Sequence, residues 1–291
     1  MKERVQKIIS AAGLCSRRRA EEWIVQGKVT VNGGLARLGD TADPETDLVL
    51  IDGKPLPAVP AETVTVLLYK PRGVVTTLSD EKGRQTVAEL LPPALGRLYP
   101  VGRLDQFSEG LLLMTNDGAL AQRLTHPAGE VRKTYHLWVS GWHEGALALL
   151  RRPIVLDGRR IKPPEVRLLW VREATGSRQQ ATEKAFPLRG RCPSAHTGAD
   201  EVAQRQASAF DQALYSFSGD ASLREEKRTA LLEITIHEGR NRQIRRMAEA
   251  AGLKTTRLQR IAEGPISLGD LKSGQWRYLT EAELRQLRTE N

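Results

Sequence analysis

The chain has 291 residues, of which 40% are hydrophobic and 27% are charged. This composition is typical of a folded globular protein rather than a disordered one, and the length suits one large domain or two ordinary ones. The formal net charge of +9 favours a polyanionic partner such as nucleic acid, although a basic protein without such a partner can have the same charge. No apolar stretch is long enough to cross a membrane, and the polar start MKERVQKIIS lacks the apolar core of a signal peptide.

The cysteines and histidines predict neither a disulfide framework nor a metal site. Cys15 and Cys192 lie far apart without CxxC spacing, and the five histidines show no metal-ligand pairing. This pattern suits a reducing compartment. We therefore expect a cytoplasmic protein without a bound metal.

Residues 1–60 predict a small helix-helix-hairpin module. From Val5 to Ala12 the apolar residues follow helical spacing, and Ser16 can cap a second helix, RRRAEEWIVQ. The segments KVTVNG and LVLIDGKPL then lead into Asn-Gly and Asp-Gly turns, which are strong hairpin signals.

The cations of this module concentrate around the junction of the two predicted helices: Lys7, Arg17, Arg18, Arg19 and Lys28. Cations and exposed N–H groups there can bind phosphates, and a solvated charged face is the alternative interpretation. The stretch AGLCSRRRAEEWIVQGKVTVNG resembles the alpha-L RNA-binding module, which is named after the small-subunit ribosomal protein S-four. The resemblance implies that residues 1–60 bind structured RNA through the two-helix face.

A second domain is predicted over residues 63–285, after a stiff linker with Pro55, Pro57 and Pro60. Strands mixed with helices and hairpins, without βαβ repetition, predict an α+β domain with a mostly antiparallel sheet. Strands are expected on both sides of the turn in VTVLLYKPRGVVTT and in GLLLMT, KTYHLWVSG and ALLEITIHEG. Helices are expected over residues 86–95 and in GALAQRLTH, EGALALLRR and RNRQIRRMAEAAGL. Residues 172–228 are polar and weakly periodic, so we expect a largely disordered insertion there.

The stretch GRLDQFSEGLLLMTNDG places the carboxylate of Asp105 in a loop next to an apolar strand. This acid could simply neutralise Arg103. The sequence lacks clustered metal ligands, a phosphate-binding glycine loop and a dinucleotide fingerprint, and a glycosidase would need a second carboxylate. Glu109 is the nearest candidate, for which we expect a surface position. A lone carboxylate on a basic chain can act as a covalent nucleophile or as a base on a nucleotide.

Four motifs extend this interpretation: YKPRGVVTT, GRLDQFSEGLLLMTNDG, KTY, and EGRNRQIRRM followed by LQRIAEGPISLGDLKSGQWRYLT. Together they resemble the bacterial ribosomal RNA pseudouridine synthases of the small-subunit/large-subunit branch, which join an alpha-L module to a catalytic domain. Ser108 stands where that family has threonine, and the insertion is the larger departure. The resemblance implies that the chain isomerises a flipped-out uridine to pseudouridine in the RNA of either ribosomal subunit, without a cofactor or metal.

The resemblance also implies a role for each matching residue. Asp105 would be the nucleophile that attacks the sugar or the base, or else a base that abstracts a proton, and Arg245 would be its ion-pair partner. Tyr135 would stack on the uracil or relay a proton, Ile244 would cover the other side of the base, and Arg103 would enter the vacancy left by the flipped nucleotide. Phosphate contacts are expected from a set of cations: Lys70, Arg72, Arg240, Arg242 and Arg246.

Two rival functions are compatible with parts of the sequence. A non-catalytic RNA-binding or ribosome-assembly protein could keep the module without the chemistry, but the complete set of Asp105, Tyr135 and Arg245 favours an enzyme. A base-flipping deaminase is disfavoured because the sequence lacks zinc ligands. We expect a monomer whose partner is ribosomal RNA, free or in a pre-ribosomal particle, and no contact with a membrane.

Overall fold

The computed structural model describes residues 1–57, 62–126, 129–173 and 228–289. The chain divides into two compact units. The first comprises Met1–Val64, Pro93–Leu98 and Asn116–Gly118, and the second comprises Thr65–Pro92, Tyr99–Thr115 and Ala119–Asn291. Within the described ranges, no helix combines the length and the apolar character that a membrane span requires.

The helices are short and the strands are numerous. The α-helices of the described residues are α1 (Val5–Ala11), α2 (Arg17–Val25), α3 (Gly118–Thr125), α4 (Ala146–Leu150), α5 (Gln243–Ala250) and α6 (Glu281–Thr289). The strands up to the middle of the chain are β1 (Glu3–Arg4), β2 (Val29–Val31), β3 (Gly34–Leu35), β4 (Thr41–Ala42), β5 (Val49–Ile51), β6 (Lys54–Pro55), β7 (Thr65–Lys70), β8 (Tyr99–Pro100) and β9 (Glu109–Thr115). The later strands are β10 (Lys133–Ser140), β11 (Val155–Leu156), β12 (Arg159–Arg160), β13 (Glu165–Glu173), β14 (Arg228–Ile236), β15 (Lys254–Glu263), β16 (Ile266–Ser267) and β17 (Trp276–Tyr278).

The first unit packs α1 and α2 against a small sheet with the strand order β3-β2-β5-β6. Ser16 accepts a hydrogen bond from the backbone N–H of Arg19 and thereby caps α2, as the sequence predicts. Asn32 and Gly33 connect β2 to β3 with φ values of 48° and 85°, which is the backbone of a type I′ turn. The expected helix-helix-hairpin arrangement is therefore present.

The second unit is built on one large sheet with the main strand order β13-β14-β10-β15-β9-β7-β17, in which β16 pairs with β15 and β8 with β9. Neighbouring strands are antiparallel, with one exception among the described pairs: β9 and β15 run parallel, with Glu109 opposite Gln259 and Gly110 opposite Arg260. The predicted α+β class with a mostly antiparallel sheet is confirmed.

Gly110 lies between two strands that carry buried cations. It is opposite Lys70 on β7 and Arg260 on β15, and Tyr135 on β10 is opposite Arg260 in turn. Side chains of directly opposed residues lie on the same face of a sheet, so Lys70, Arg260 and Tyr135 share a face. Gly110 has a φ of +104°, and a Cβ atom there would lie 2.6 Å from the backbone nitrogen of Arg260. This position therefore requires glycine.

Two apolar clusters fix the sheet within the second unit. Helix α5 packs Ile244, Met247 and Ala248 into the first cluster, which also includes Tyr135 and Leu137 of β10. The second cluster joins the strands β7 and β9 to the helices α3 and α6; among its members are Leu67, Leu111, Leu113, Leu120, Leu124 and Leu287. The run GLLLMT is thus a fully buried strand that immediately follows the loop of Asp105.

Two secondary-structure predictions were wrong and one needs narrower bounds. The helix predicted over residues 86–95 is two separate 3-10 turns, Ala88–Leu90 and Pro93–Leu95, because Pro92 and Pro93 cannot continue a helix. The described residues 71–77 contain no strand, although Val75 forms an isolated bridge with Thr86. The disorder expected over residues 172–228 does not apply to Arg172, Glu173 and Arg228, which belong to strands; the rest of the predicted insertion lies outside the described residues.

Candidate active site

Asp105 lies in the loop between β8 and β9, on the wall of an open cleft of about 630 Å³. The wall consists of residues from segments 75–84 and 103–107 together with Arg242 and Arg245. Most of these residues are polar or charged, and the volume lies in the range of pockets that hold small ligands. Within the described ranges, no group of three or more His, Cys, Asp or Glu side chains could hold a metal ion.

Arg245, from α5, is the ion-pair partner of Asp105. Its Nε lies 3.3 Å from Asp105 Oδ2, without the alignment of a hydrogen bond. Ser108 Oγ donates a long hydrogen bond of 3.5 Å to the same oxygen and accepts one of 3.2 Å from Arg245 Nη2. The side chains of Asp105 and Arg245 are only 10% and 13% exposed, so the guanidinium offsets much of the desolvation of the carboxylate.

Burial and four neighbouring ionisable side chains shift the pKa of Arg245. Burial lowers the pKa of Arg245, and the charges of Arg242 and Arg72 lower it further, whereas Glu249 and Tyr135 raise it. A guanidinium stays protonated at neutral pH despite such a shift. Arg245 therefore keeps its positive charge next to Asp105 at neutral pH.

Hydrogen bonds from Gly73 and Thr76 hold the backbone on both sides of Asp105. Thr76 Oγ1 donates to the carbonyl of Leu104 at 2.6 Å and accepts from the N–H of the same residue at 3.2 Å. The N–H of Gly73 donates to the carbonyl of Gln106 at 2.6 Å. Asp105 thus lies between two residues whose backbone positions are fixed, which is the arrangement that a reactive side chain requires.

Lys70, the last residue of β7, is fully buried next to the loop of Asp105. Its Nζ donates to the carbonyls of Pro71 and Ser108, each at 2.8 Å. Burial lowers the pKa of Lys70 to about 7, and Arg260 lowers it as well, while Glu109 opposes the shift. The phosphate contact predicted for Lys70 does not suit this position, because the ammonium group is not accessible to solvent.

Three of the predicted phosphate-binding or base-replacing cations lie around the cleft. Arg103 and Arg242 are part of its wall, and Arg103 is exposed. Arg242 precedes α5 with a left-handed backbone, φ 50°, which turns the chain into the helix. Arg72 is exposed, with a long hydrogen bond of 3.5 Å to the carbonyl of Thr256, and its charge acts on Arg245.

The other two cations are engaged in ion pairs outside the wall of the cleft. Arg246 makes two contacts of 3.1 Å with the carboxylate of Asp157, and Arg240 pairs with Glu238 at 2.9 Å. The ion pair of Arg246 lowers the pKa of Asp157. A phosphate contact by either arginine would have to compete with these carboxylates.

Tyr135 and Ile244 lie in the apolar core rather than on the wall of the cleft. They are 1% and 2% exposed and belong to the same cluster. Tyr135 contributes to raising the pKa of Arg245, the ion-pair partner of Asp105. The structure therefore pairs Asp105 with Arg245 and places Tyr135 within electrostatic range of that arginine, while the ring of Tyr135 lies in the core.

In the first unit, the predicted RNA-binding cations are mostly exposed. Arg17, Arg18, Arg19 and Lys28 are on the surface, and Lys7 is half-buried. Lys7 forms an ion pair with Glu3, and Arg19 forms one with Glu22. Exposed pairs of this kind are weak, so a phosphate can replace the carboxylate.

Sequence reasoning missed two parts of the cleft. The loop of residues 79–84 is closed by Asp80, whose carboxylate accepts two hydrogen bonds from the guanidinium of Arg84, at 3.1 and 2.6 Å, and one from the N–H of Lys82. The side-chain bond from Arg84 lowers the pKa of Asp80. The turn composition SDEKGR was the available signal. Phe107 was also missed, although an apolar ring between Gln106 and Ser108 in a polar loop is unusual.

Comparison with known proteins identifies the family. The family model described as RNA pseudouridylate synthase matches residues 64–250, and the S4 domain model matches residues 3–49. The chain is 36% identical over 290 residues to an uncharacterized RNA pseudouridine synthase of Aquifex aeolicus, with 99% of this chain and 94% of the relative covered. It is 35% identical over 287 residues to the ribosomal large subunit pseudouridine synthase B of Bacillus subtilis, with 98% and 96% covered.

A solved structure shares the fold. A crystal structure of a pseudouridylate synthase superposes with a TM-score of 0.57 at 24% sequence identity, covering 98% of this chain and 99% of that one. These findings confirm the resemblance that the motifs around Asp105 and the N-terminal module indicate. The chain belongs to the RNA pseudouridylate synthase family and carries an S4 domain ahead of its synthase domain.

Proposed function

We propose that this protein isomerises uridine to pseudouridine in ribosomal RNA and that Asp105 is the nucleophile. The observation that carries the proposal is the carboxylate of Asp105, which lines an open cleft 3.3 Å from the guanidinium of Arg245. Family membership supplies the reaction, and the names of relatives supply the class of RNA. Because the relative from Bacillus subtilis is named for the large ribosomal subunit, large-subunit RNA is the first substrate to test.

The reaction rearranges one nucleotide without a co-substrate. The bond from N1 of uracil to C1′ of ribose breaks, a bond from C5 to C1′ forms, C5 loses its proton, and N1 gains one. An ionised carboxylate can attack the sugar, attack the base or accept a proton, and each route requires it to be charged and fixed. Arg245 supplies the compensating charge, and the hydrogen bonds of Thr76 and Gly73 fix the backbone around Asp105.

The remaining site residues support this reaction as binding and positioning groups. Tyr135 and Ile244, which are 1% and 2% exposed, are proposed to become accessible when RNA binds and to form the apolar surface against which the uracil packs. The Tyr135 hydroxyl, which interacts electrostatically with Arg245, can then relay a proton. Arg103 is exposed on the cleft and is proposed to fill the space that the flipped nucleotide leaves in the RNA. Arg72 and Arg242 are proposed to contact phosphates.

The proposal is tested by replacing the carboxylate. The protein should convert specific uridines in unmodified ribosomal RNA transcripts, and Asp105→Asn should abolish conversion because an amide can neither attack nor accept the proton. Binding of the RNA by the variant should remain close to that of the unaltered protein, since the side chains have the same shape. Undiminished conversion by Asp105→Asn would rule out the nucleophile assignment. The matched control is Asp270→Asn, which alters an exposed carboxylate and should retain activity.

The alternative is an RNA-binding or ribosome-assembly protein without catalytic activity. The presence of the complete set of Asp105, Tyr135 and Arg245 argues against it, as does the ion pair that Asp105 and Arg245 form beside an open cleft. This alternative predicts that the purified protein binds ribosomal RNA but leaves every uridine unchanged. Mapping pseudouridines in ribosomal RNA from cells that lack the gene distinguishes the two functions and also identifies the target nucleotide.

We further propose that the protein acts as a monomer in the cytoplasm, where ribosomal RNA is matured in a bacterial cell. Its relatives are bacterial proteins. The net charge of +9 suits the binding of RNA by a single copy of the chain. Light scattering of the protein with and without RNA measures the number of copies in the complex. A mass of two copies on one RNA would contradict the monomer.

A further inference from the structure

Phe107 is an apolar ring on the wall of a charged cleft. It is 57% exposed, and its neighbours on the wall include Asp105, Gln106 and Arg245. An isolated apolar side chain on a surface is ordinary, but an exposed ring two residues from a reactive carboxylate is in a place where it can meet the substrate. The ring of Phe107 is therefore placed to contact the RNA substrate.

The described part of the chain does not supply a ring partner for Phe107. Aromatic contacts there join His136 to Trp138 and Trp276 to Tyr278. Among the described Phe, Tyr and Trp residues, Tyr278 is the other exposed one, and its ring packs edge-on against Trp276 at 5.5 Å. Phe107 differs from Tyr278 because its ring faces the cleft without such a contact.

The position of Phe107 is fixed relative to Asp105 by a single guanidinium. Arg245 Nη2 donates to the carbonyl of Phe107 at 3.1 Å, while Nε of the same group lies 3.3 Å from the carboxylate of Asp105. The Cα atoms of residues 105 and 107 are separated by at most about 7 Å, the span of two extended residues. A nucleotide bound at Asp105 therefore places its neighbour in the RNA within reach of the ring.

We propose that Phe107 stacks on an unpaired nucleobase adjacent to the target uridine; this inference rests on the proposed function. Every base has a π-face, and stacking on an aromatic side chain is a general mode of binding single-stranded RNA. The cations around the ring, Arg103, Arg242 and Arg245, favour a polyanion over an apolar protein surface. Flipping of the target uridine breaks its stacking with both neighbours, so an adjacent unpaired base can move onto the ring of Phe107 while Arg103 fills the vacated position.

The first test measures RNA affinity in the Asp105→Asn background, so that no turnover takes place. The probe is a short synthetic RNA centred on the uridine that the active protein modifies. Phe107→Ala should weaken binding about 5- to 150-fold, Phe107→Leu should weaken it similarly, and Phe107→Tyr and Phe107→Trp should retain it. The control is Val155→Ala, which shortens another exposed apolar side chain, 47% exposed, and should leave affinity unchanged.

The leucine variant separates stacking from a general apolar contact. Affinity of Phe107→Leu equal to that of the parent would overturn the proposal, as would unchanged affinity of Phe107→Ala. An equal loss in Val155→Ala would also overturn it, because the effect would not be specific to the cleft.

The second test uses RNA probes that lack one base on either side of the target. The parent should lose affinity when the stacked base is removed, and Phe107→Ala should show little further loss at that position, because both changes remove the same contact. Additive losses at every position would contradict the stacking assignment. Absence of uridine conversion by the active protein would instead count against the proposed function, and the affinities of the Phe107 variants would then be compared on unmodified ribosomal RNA transcripts.

Discussion

Lys70 shows how a single buried residue can connect the sheet to the loop of Asp105. The side chain is inaccessible to solvent, and its Nζ bonds to the carbonyls of Pro71 and Ser108. Burial lowers its pKa to about 7 from a usual value of 10.5. The folded protein consequently binds fewer protons at this site than the unfolded chain does over the pH range between these values.

This shift predicts a pH dependence of stability. Between about pH 7 and about pH 10.5, Lys70 is protonated in the unfolded chain but not in the folded protein. The free energy of unfolding should therefore rise with pH over this range, by up to about 1.4 kcal/mol per pH unit. Urea unfolding at several pH values measures the free energy of unfolding for the unaltered protein and for Lys70→Met. The difference between the two should change across this range and become constant above it. Parallel curves throughout would contradict the shift.

Gly110 is the second residue whose identity the structure requires. Its φ of +104° and its proximity to the backbone of Arg260 leave no space for a methyl group. Gly110→Ala should destabilise the protein by about 2–5 kcal/mol, from backbone strain together with overlap. Gly158→Ala is the matched control, since Gly158 has a φ of +73° and open space around it, and it should cost less. Equal losses of thermal stability in the two variants would show that close packing at Gly110 is unimportant.

At the level of elements, residues 73–76 act as a brace for the loop of Asp105. Val75 is itself anchored, because its N–H donates to the carbonyl of Gln85 and its carbonyl accepts from the N–H of Val87. The hydroxyl of Thr76 then donates a hydrogen bond to the carbonyl of Leu104 and accepts one from its N–H. The brace lacks strand geometry, yet it restrains the residue immediately before Asp105.

Removal of this hydroxyl should reduce catalysis more than binding. We expect Thr76→Val to lower kcat by roughly 100-fold with little change in KM, since small displacements of a reacting group have effects of that size. Thr76→Ser should restore most of the rate. Thr65→Val is the control, because Thr65 is also 5% exposed and its hydroxyl bonds to Thr115 instead of the loop. If both valine variants lose activity equally, the effect is general destabilisation rather than positioning.

The elements that were predictable from sequence are those that depend on neighbours along the chain. The cap of Ser16 and the turn of Asn32 and Gly33 follow local rules, and both are present. The parallel pairing of Gly110 with Arg260 and the bond between Thr76 and Leu104 join distant residues, and no local pattern indicates them. The helix expected over residues 86–95 is interrupted at Pro92 and Pro93, which are themselves a local signal against a continuous helix.

The candidate site was predictable to a different extent. Asp105 and Arg245 carry charges in motifs, so the resemblance identified both. The phosphate role of Lys70 could not be corrected from sequence, because burial depends on how β7 is placed in the sheet. Phe107 lies in the same motif as Asp105, but its exposure is visible only in the folded chain.

For the whole molecule, the positive charge is expected to determine how strongly RNA binding depends on salt. The S4 domain exposes three consecutive arginines, Arg17, Arg18 and Arg19, which form the longest run of cationic residues in the sequence. Each phosphate contact to single-stranded RNA contributes about 0.7 to the slope of log affinity against log salt. Replacing all three arginines with glutamine should therefore weaken binding and reduce the slope by up to about 2.

This effect is measured by titrating RNA at several salt concentrations. The control replaces Lys272, Arg285 and Arg288 with glutamine, which removes the same charge from the C-terminal region of the second unit. The control should have a smaller effect on the slope. A slope that is unaltered by the S4-domain triple substitution would show that its basic face serves solubility rather than RNA binding.

The parallel pairing of β9 with β15 has a consequence for the order of events during synthesis. The strand that follows Asp105 pairs with residues 259 and 260, and Arg245 also comes from the later half of the chain. Domains assemble as their segments leave the ribosome, and contacts between distant segments form late. A nascent chain that ends before residue 245 therefore lacks the partner of its carboxylate. The strand after Asp105 likewise gains its parallel partner only once residues 259 and 260 have been synthesised.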